Sequence, residues 1–320
     1  MVTDTRGRPL RDLRISLTDR CNMRCTYCMP REHYSHEHNF LPKAEILSYE
    51  ELSLIVDSLV PLGLEKIRLT GGEPLMRRDI FEFIAMLPKN LDIAMTTNGI
   101  MLAENASKLK MAGLDRVTVS IDALDTETFQ MMSDTDYEPT QVLEGIEVAL
   151  SSGLTVKVNC VVRSGINEHA VKQIANHFHN TDVIVRFIEF MDVGETNSWK
   201  LDEVITGDKM RKEFMGLQAI SPNHLGEVAN RYNWNGQEIG FIESVSKPFC
   251  GDCSRARISA DGSLFTCLFA SKGNDLKGII RMGANAKEIS NAIRSIWKSR
   301  DDAYSEKRGI IKQEKVEMSY

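Results

Sequence analysis

Short strand-type segments alternate with longer amphipathic segments from residue 13 to about residue 190. This alternation is typical of repeated β-α units, which build a parallel sheet or barrel. The segment at Ser48 has the spacing of a capping box with Glu51, so a helix is predicted to begin there, and Gly63 is expected to end it. Six strands are predicted, at residues 13–17, 66–70, 93–97, 116–121, 156–162 and 184–189.

The predicted strands alternate polar and apolar residues, whereas a parallel strand buried on both faces reads as continuous Val, Ile and Leu. In the first strand, Arg14 and Ser16 alternate with Leu13, Ile15 and Leu17. Because successive side chains point to opposite faces, the apolar face is predicted to pack under helices and the polar face to line a lumen. A lumen lined by arginine and lysine must be wet or hold an anionic ligand. The alternative is an antiparallel sheet with a solvated face, which the intervening helices argue against.

After about residue 192 the β-α pattern ends and glycine and proline become frequent, which indicates a second unit of α+β type. Two segments, 255–259 and 264–268, flank Asp261-Gly262, the turn expected between two antiparallel strands. We therefore expect one domain at residues 1–215 and a second at residues 216–320.

The overall composition excludes several classes of function. The 320-residue chain has a formal net charge of -6, which argues against binding to DNA, since that requires a basic surface. Any phosphate must therefore be held by a local basic pocket. No run approaches the roughly 18 apolar residues that span a membrane, and the first residues lack a signal-peptide segment. We expect a soluble cytoplasmic protein.

Six of the seven cysteines form two tight groups, and Cys160 stands alone. In a reducing compartment such grouping indicates metal ligation rather than disulfide bonds. The first group, Cys21-x-x-x-Cys25-x-x-Cys28, follows the first strand directly, where β-α barrels place their chemistry. Three thiolates on one loop can hold three irons of a [4Fe-4S] cluster and leave the fourth iron open. A structural zinc site is the alternative, although such sites usually have four ligands.

The second group consists of Cys250-x-x-Cys253 and, after thirteen intervening residues, Cys267. It again supplies three thiolates without a clear fourth partner, so a second [4Fe-4S] cluster with an open iron is predicted. Zinc is a stronger alternative here, completed by a residue such as His224, because C-x-x-C followed by a distant cysteine is also typical of zinc ribbons.

The run Cys21-Asn22-Met23-Arg24-Cys25-Thr26-Tyr27-Cys28 resembles the cysteine motif of the radical S-adenosylmethionine (SAM) superfamily. Gly71-Gly72-Glu73-Pro74, after the second strand, resembles the glycine-rich motif of the same superfamily. Taken alone, the glycine pair is typical of a turn, and a methionine is typical of packing. The resemblance implies a partial TIM-like (β/α)6 barrel and SAM contacts at Tyr27, Gly72, Ser120, Met191 and Arg186.

Within that superfamily, Cys253-Ser254-Arg255-Ala256-Arg257 with Gly262 and Cys267-Leu268-Phe269 resembles the second-cluster segment of the GTP 3′,8-cyclase family. The run 189–194 is similar as well, and the likeness extends from residue 7 to residue 302. It implies that guanine lies at the open iron of the second cluster. The family's phosphate and ribose contacts correspond to Arg14, Arg68, Thr96, Lys157, Arg255 and Arg257.

Strand alternation by itself also places Arg14, Arg68, Lys157 and Arg186 on the polar faces of four strands. A structural ion pair is the alternative for any one of these residues. Several of them together could bind a triphosphate firmly.

The resemblance implies conversion of GTP to (8S)-3′,8-cyclo-7,8-dihydroguanosine 5′-triphosphate, the first step of molybdenum cofactor biosynthesis. Reductive cleavage of SAM gives a 5′-deoxyadenosyl radical, which takes hydrogen from C3′ of GTP before C3′ attacks C8. The implied partners are an electron donor of flavodoxin or ferredoxin type, the next enzyme of the pathway, and a second copy of the chain in a homodimer. No general acid or base can be assigned from the sequence. The alternatives are another radical SAM maturase with an auxiliary cluster and a non-catalytic zinc-binding module.

The final residues depart from the family pattern, in which the chain ends in a Gly-Gly tail that reaches the active site. This sequence ends in Val316-Glu317-Met318-Ser319-Tyr320. Either a tail is omitted or the chain is truncated. In the second case we expect the clusters and GTP to bind while cyclisation fails.

Overall fold

One sheet runs through the computed structural model, which describes residues 1–193, 197–224 and 226–308. Its centre is six parallel strands in chain order. They are Asp12–Ser16 (β1), Lys66–Thr70 (β2), Asp92–Thr97 (β3), Arg116–Ser120 (β4), Thr155–Val162 (β5) and Ile184–Glu189 (β6). Each predicted strand lies within one residue of the observed one, and the parallel pairing overturns the antiparallel alternative.

Helices connect successive strands, as the β-α pattern predicts. They are Tyr49–Leu59 (α1), Ile80–Met86 (α2), Leu102–Ala112 (α3), Thr126–Ser133 (α4), Pro139–Ser151 (α5) and Ala170–His177 (α6). Further helices follow β6, among them Gly207–Arg211 (α7), Leu276–Arg281 (α8) and Ala286–Lys298 (α9). The α/β class is confirmed.

The start of α1 shows why the sequence folds this way locally. Glu51 N donates to Ser48 Oγ at 3.1 Å, and Ser48 N donates to Glu51 Oε2 at 2.7 Å. Two amide donors that lack helical partners are thereby satisfied. A short 3₁₀ turn extends the helix as far as Gly63, whose φ of 112° is a left-handed conformation that favours glycine. The capping box and the helix end are both confirmed.

The later part of the chain extends both edges of the sheet. On one side Gln237–Ile242 (β9) lies parallel to β6, followed outward by Asn230–Trp234 (β8) and Gln218–Ile220 (β7). On the other side Arg255–Ile258 (β10) lies parallel to β1, followed by Ser263–Phe265 (β11) and Asn274–Asp275 (β12). The part of the chain after β6 therefore adds a parallel strand at each edge, β9 beside β6 and β10 beside β1.

The predicted Asp-Gly hairpin is present between β10 and β11, with Gly262 at a φ of 84°. Its second strand is shorter than predicted, because it ends at Phe265 and the chain leaves the sheet before Cys267. The predicted division of the chain at residues 215 and 216 stays a prediction. Within the described ranges, no helix combines the length and apolar character needed to cross a membrane.

The apolar faces of the strands pack under the helices and leave the polar faces to the lumen. Val158 and Cys160 on β5 are fully buried, and so is Phe187 on β6. The Phe187 ring lies 6.1 Å from that of Phe214 and 6.0 Å from that of Phe241, spacings at which aromatic rings interact favourably. This cluster fastens β9 and the segment after α7 to the parallel sheet.

Replacing Phe187 by alanine should lower the free energy of unfolding by about 3–5 kcal/mol, because a buried ring is lost and the site collapses only partly. Equilibrium urea denaturation measures this change. Met215 is 89% exposed, so M215A is the matched control and should change stability by less than about 0.5 kcal/mol. Equal stability of F187A and the parent chain would contradict this account of the core.

Candidate active site

The first cysteine loop leaves the carboxyl end of β1 and packs against the glycine pair that follows β2. Gly72 N donates to Thr18 O at 2.7 Å, and Glu73 N donates to Arg20 O at 2.8 Å. A Cβ atom on Gly72 would lie 2.1 Å from Arg20 O, so a side chain there would displace the loop. The glycine-rich motif therefore has a structural task in this chain, which is to bring the second strand's end against the cysteine loop.

Glu73 connects the same loop to the end of β3. Its carboxylate is buried and accepts hydrogen bonds from Thr97 Oγ1 and from Asn98 N, both at 2.8 Å. Burial raises the pKa of Glu73. Asn98 Nδ2 in turn donates to Asn22 Oδ1 at 2.7 Å, inside the cysteine motif. The ends of β1, β2 and β3 thus hold the start of the cysteine loop in place.

Tyr27, in the same loop, is held by an aspartate that sequence reasoning missed. Its Oη donates to Asp122 Oδ2 at 2.6 Å, and Val161 N donates to Asp122 Oδ1 at 2.8 Å. Burial raises the pKa of Asp122 to about 6. The available signal was its place two residues after Ser120, at the carboxyl end of β4.

The first three thiols are poor thiolates unless a cation binds them. Burial and the neighbouring Cys28 raise the pKa of Cys25 well above its usual range. Burial and then Cys21 raise the pKa of Cys28 to about 11. Metal ligation requires the thiolate form, and a cationic iron core removes both penalties. The donor set fits a [4Fe-4S] cluster held by Cys21, Cys25 and Cys28.

The second cysteine group lies at the opposite end of the lumen. Cys250 and Cys253 precede β10, which runs parallel to β1, and Cys267 follows the antiparallel β11. All three therefore lie near the amino ends of the parallel strands, whereas the first loop lies at the carboxyl ends. The two groups are separated by the length of the strands.

The second group has a different electrostatic environment. Arg255 Nε donates to Cys253 Sγ at 3.3 Å. Burial raises the pKa of this thiol, but Arg255 and then Arg300 lower it to about 6, so Cys253 is largely a thiolate at neutral pH. Burial raises the pKa of Cys267. A ready thiolate beside arginines suits an iron–sulfur cluster, whose net charge with thiolate ligands is negative.

In the described part of the chain, no three His, Cys, Asp or Glu side chains surround a point where one metal ion could lie. The assignment of the two cysteine groups to clusters is therefore based on their spacing, their electrostatics and the family.

A cavity of about 860 Å³ joins the second cysteine group to the lumen. Its wall contains all three cysteines of that group, together with Arg14, Arg68, Arg186, Met191, Arg255 and Arg257. A second cavity, of about 1220 Å³, shares Arg14, Arg68, Arg186 and Arg255 with the first and is also lined by Lys157. Most of the predicted GTP contacts therefore line two connected spaces.

The guanidinium groups in this wall repel one another. Burial, followed by Arg68 and Arg255, lowers the pKa of Arg14 to about 9. Burial, followed by Arg14 and Arg255, lowers the pKa of Arg257 to about 9. Within the described ranges, four of their buried N–H groups have no hydrogen-bond partner: Arg14 Nε, Arg68 Nε, Arg186 Nε and Arg257 Nη1. Nearby groups satisfy these cations only in part: Arg186 Nη2 donates to Thr118 Oγ1 at 3.2 Å, and Asp12 opposes the lowering of the pKa of Arg14 and Arg68. Buried cations with unsatisfied N–H groups fit a polyanionic ligand.

The structure does not bring every predicted residue to the main cavity. Of the predicted SAM contacts, Met191 and Arg186 line it, whereas Tyr27, Gly72 and Ser120 lie with the first cysteine loop at the carboxyl ends of the strands. Thr96 lies on β3 with a buried hydroxyl that has no partner among the described residues. Gly194 and the chain end at residues 316–320 lie outside the described residues.

The first cysteine group also does not line the main cavity. Cys21 borders a separate depression of about 600 Å³. The reason is that the loop bends toward α4, where Arg24 N donates to Ser133 O at 3.1 Å and Thr26 N donates to Met132 O at 3.0 Å. The cavity lined by arginines therefore borders the second cysteine group, and the first group lies outside its wall.

Strand alternation places Asn159 with Lys157 on the polar face of β5, and Asn159 lines the cavity. Sequence reasoning missed two further cavity residues, Arg8 and Arg300. Arg8 and Arg300 belong to no periodic pattern, so only the fold brings them to the site.

The fold and the two cysteine groups define the class of radical SAM enzymes. Residues 15–178 match the model of the Radical SAM superfamily, and residues 183–306 match that of Molybdenum Cofactor Synthesis C. A GTP 3′,8-cyclase of Staphylococcus carnosus is 43% identical over 333 residues, covering 100% of this chain and 98% of the relative. A GTP 3′,8-cyclase of Acidothermus cellulolyticus is 45% identical over 322 residues, covering 97% and 89%. The chain belongs to the GTP 3′,8-cyclase family.

Solved structures share the fold. Streptococcus suis SuiB bound to the precursor peptide SuiA superposes with a TM-score of 0.62 and 14% identity, over 93% of this chain and 66% of SuiB. Native anSMEcpe with bound AdoMet gives 0.57 and 17%, over 86% of this chain and 81% of the other. At these identities the likeness concerns the fold alone, and it confirms the partial TIM-like barrel.

Replacing Gly72 by alanine should displace the cysteine loop from the end of β2, because the new methyl group would collide with Arg20 O. We expect the variant to lose most of the iron of its first cluster, measured as iron and acid-labile sulfide per chain after anaerobic reconstitution. The matched control is G251A in the other cysteine loop, where an added Cβ meets nothing within 4 Å. Full retention of the first cluster in G72A would contradict this role.

Proposed function

We propose that this protein converts GTP to (8S)-3′,8-cyclo-7,8-dihydroguanosine 5′-triphosphate, the first step of molybdenum cofactor biosynthesis. One observation carries the proposal: the cation-lined lumen opens directly onto the second cysteine group. Family membership supports it, because curated relatives over the full length are named GTP 3′,8-cyclase.

The triphosphate is assigned to Arg14, Arg68, Lys157 and Arg257. Each pair of opposite unit charges at 4 Å contributes about 4 kcal/mol at an effective dielectric constant near 20, before desolvation is subtracted. The desolvation of these cations already takes place in the fold, since burial lowers the pKa of each of them. The site is therefore preorganised for an anion. Thr96 and Arg255 are assigned to the remaining phosphate and ribose contacts.

The guanine base is assigned to the end of the cavity at Cys250, Cys253 and Cys267. Apolar side chains line this end, namely Val228, Ile242, Phe249, Leu268 and Phe269. An apolar slot beside a cluster with one iron free of protein ligands suits a flat heterocycle that carries nitrogen and oxygen donors.

SAM is assigned to the carboxyl ends of the strands, with Tyr27, Gly72, Ser120 and Met191 around it and Arg186 at its carboxylate. The first cluster would be held by Cys21, Cys25 and Cys28, and together with bound SAM it would supply hydrogen abstraction from C3′ of GTP. The chain's own contribution is to hold the ribose between the two ends of the lumen, so that C3′ faces the first loop and C8 lies within reach of C3′. The phosphate-binding cations also keep the substrate from leaving during the reaction.

The remaining assignments follow from the same chemistry. Unpaired cysteines in two ligand groups require a reducing compartment, which supports a cytoplasmic location. Each turnover requires two electrons from a one-electron donor of flavodoxin or ferredoxin type: the first reduces the first cluster, and the second, together with a proton, reduces the radical left on the purine after C3′ joins C8. We also propose a homodimer, transfer of the product to the next enzyme of the pathway, and a first domain that ends at residue 215.

The direct test is a GTP-dependent 5′-deoxyadenosine assay with anaerobically reconstituted protein, dithionite and SAM. We expect deuterium from 3′-deuterated GTP to appear in 5′-deoxyadenosine, detected by mass spectrometry.

R257M should weaken GTP binding at least tenfold, about 1.4 kcal/mol, while SAM still binds. Cleavage of SAM that is indifferent to GTP would contradict the proposal and favour a maturase that acts on another substrate.

The affinity for GTP should depend on pH through Lys157, whose pKa is lowered to about 8 by burial and then by Arg186 and Arg116. A bound triphosphate favours the charged form, so binding takes up protons above pH 8 and weakens as the pH rises. The expected decrease is up to about tenfold per pH unit. Isothermal titration calorimetry in buffers of different ionisation enthalpy measures both quantities.

Two variants accompany this titration. K157Q should bind GTP more weakly and take up fewer protons, whereas K287Q, which alters an exposed lysine on α9, should match the parent chain. An affinity that stays constant from pH 7.5 to 9.5 would contradict the assignment of Lys157.

A further inference from the structure

Three buried charged residues lie behind the second cysteine group: Asp4, Arg8 and Arg300. The side chains of all three are at most 1% exposed. Arg8 Nε donates to Asp4 Oδ2 at 2.7 Å, and Arg300 Nη1 lies 3.3 Å from the same oxygen. One carboxylate thus serves two guanidiniums, and Arg300 Nε also lies 3.4 Å from Asp302 Oδ2, on a partly exposed side chain. Such a group is costly to bury, so its remaining contacts are informative.

Those remaining contacts go to the cysteine loop itself. Arg8 Nη1 donates to Cys250 O at 2.9 Å, and Arg300 Nη1 donates to Cys253 O at 2.6 Å. Two of the three proposed cluster ligands are therefore held through their own backbone carbonyls. Charge-assisted hydrogen bonds of this kind are stronger than neutral ones. They fix the main-chain positions from which the side chains of Cys250 and Cys253 project.

Residues 4–8 and residues 297–302 meet at this triad. Arg8 Nη1 also donates to Asp302 O at 2.7 Å, and Trp297 Nε1 donates to Arg8 O at 3.0 Å. Asp4 and Arg8 lie before residue 15, outside both matched family models, whereas Arg300 lies inside the second one. The amino-terminal segment is thus a structural part of the second cysteine site.

We propose that the Asp4–Arg8–Arg300 triad is the positioning element for the second cluster. It holds the Cys250–Cys253 loop open toward the cavity and places two guanidiniums behind a cluster whose thiolate ligands make it negative. Both arginines also contribute to the wall of the cavity. The inference depends on the second cluster of the proposed function.

The two arginines make geometrically different demands on a replacement. Arg8 reaches Asp4 through Nε and Cys250 through Nη1, so a single ammonium cannot replace both bonds. Arg300 reaches Asp4 and Cys253 through the same Nη1 atom, so a lysine ammonium can replace both. If the triad acts by positioning the loop, R300K should retain more of the second cluster than R8K.

The experiment measures iron and sulfide per chain, together with the low-temperature EPR spectrum of the dithionite-reduced protein, after anaerobic reconstitution. The parent chain should hold about eight irons, and R8M, R300M and R8K about four, with the second cluster's signal lost and the first one's kept. R300K should retain more iron than R300M. The matched control R6Q alters an exposed arginine that pairs with Asp301 and Glu306 at the same seam, and it should keep about eight irons.

The outcomes separate the alternatives. If both lysine variants match the parent chain, positive charge alone suffices and the positioning role is refuted. If all four variants keep both clusters and an unchanged spectrum, the triad has no role at the cluster. A change in the first cluster's EPR signal on addition of SAM provides an internal check that this cluster is intact in each variant. A parent chain with only about four irons would instead refute the second cluster of the proposed function.

Discussion

Mutual repulsion among buried guanidiniums is the constraint on which the rest of the structure depends. Arg14, Arg68 and Arg257 project from adjacent parallel strands into one lumen, and burial and their neighbours lower their pKa values to between about 9 and about 10. A chain with a net charge of -6 does not need such a cluster for solubility. A bound polyanionic substrate relieves this repulsion. The fold therefore carries a destabilisation without substrate that is removed when the substrate binds.

Parallel strands give this lumen two chemically distinct ends. A loop at the carboxyl ends carries the first cysteine group, and the loop before β10 together with the segment after β11 carries the second. A nucleotide that spans the lumen therefore presents its base at one end and its ribose toward the other. The glycine pair, Asp122 and the buried triad each fix one of these loops from behind, since thiols that hold a cluster with an open iron have no fourth ligand to restrain them.

The sequence predicted the strands, the capping box of α1 and the cation-bearing positions because each depends on local periodicity. Both cysteine groups were identified from spacing alone. Arg8 and Arg300 could not be found in this way, because they are 292 positions apart in the sequence and come together only in the folded chain. Asp122 was missed because an aspartate after a strand is common in loops. The bend of the first cysteine loop toward α4 depends on backbone contacts that no side-chain pattern encodes.

The central claim is that two open clusters, at opposite ends of one cationic lumen, each bind a different small molecule. Low-temperature EPR of the reduced protein, titrated separately with SAM and with GTP, tests it most directly. The account predicts two separable signals, of which SAM perturbs the one that depends on Cys21, Cys25 and Cys28, and GTP perturbs the one that depends on Cys250, Cys253 and Cys267. A single signal, or two signals that respond to neither ligand, would contradict it.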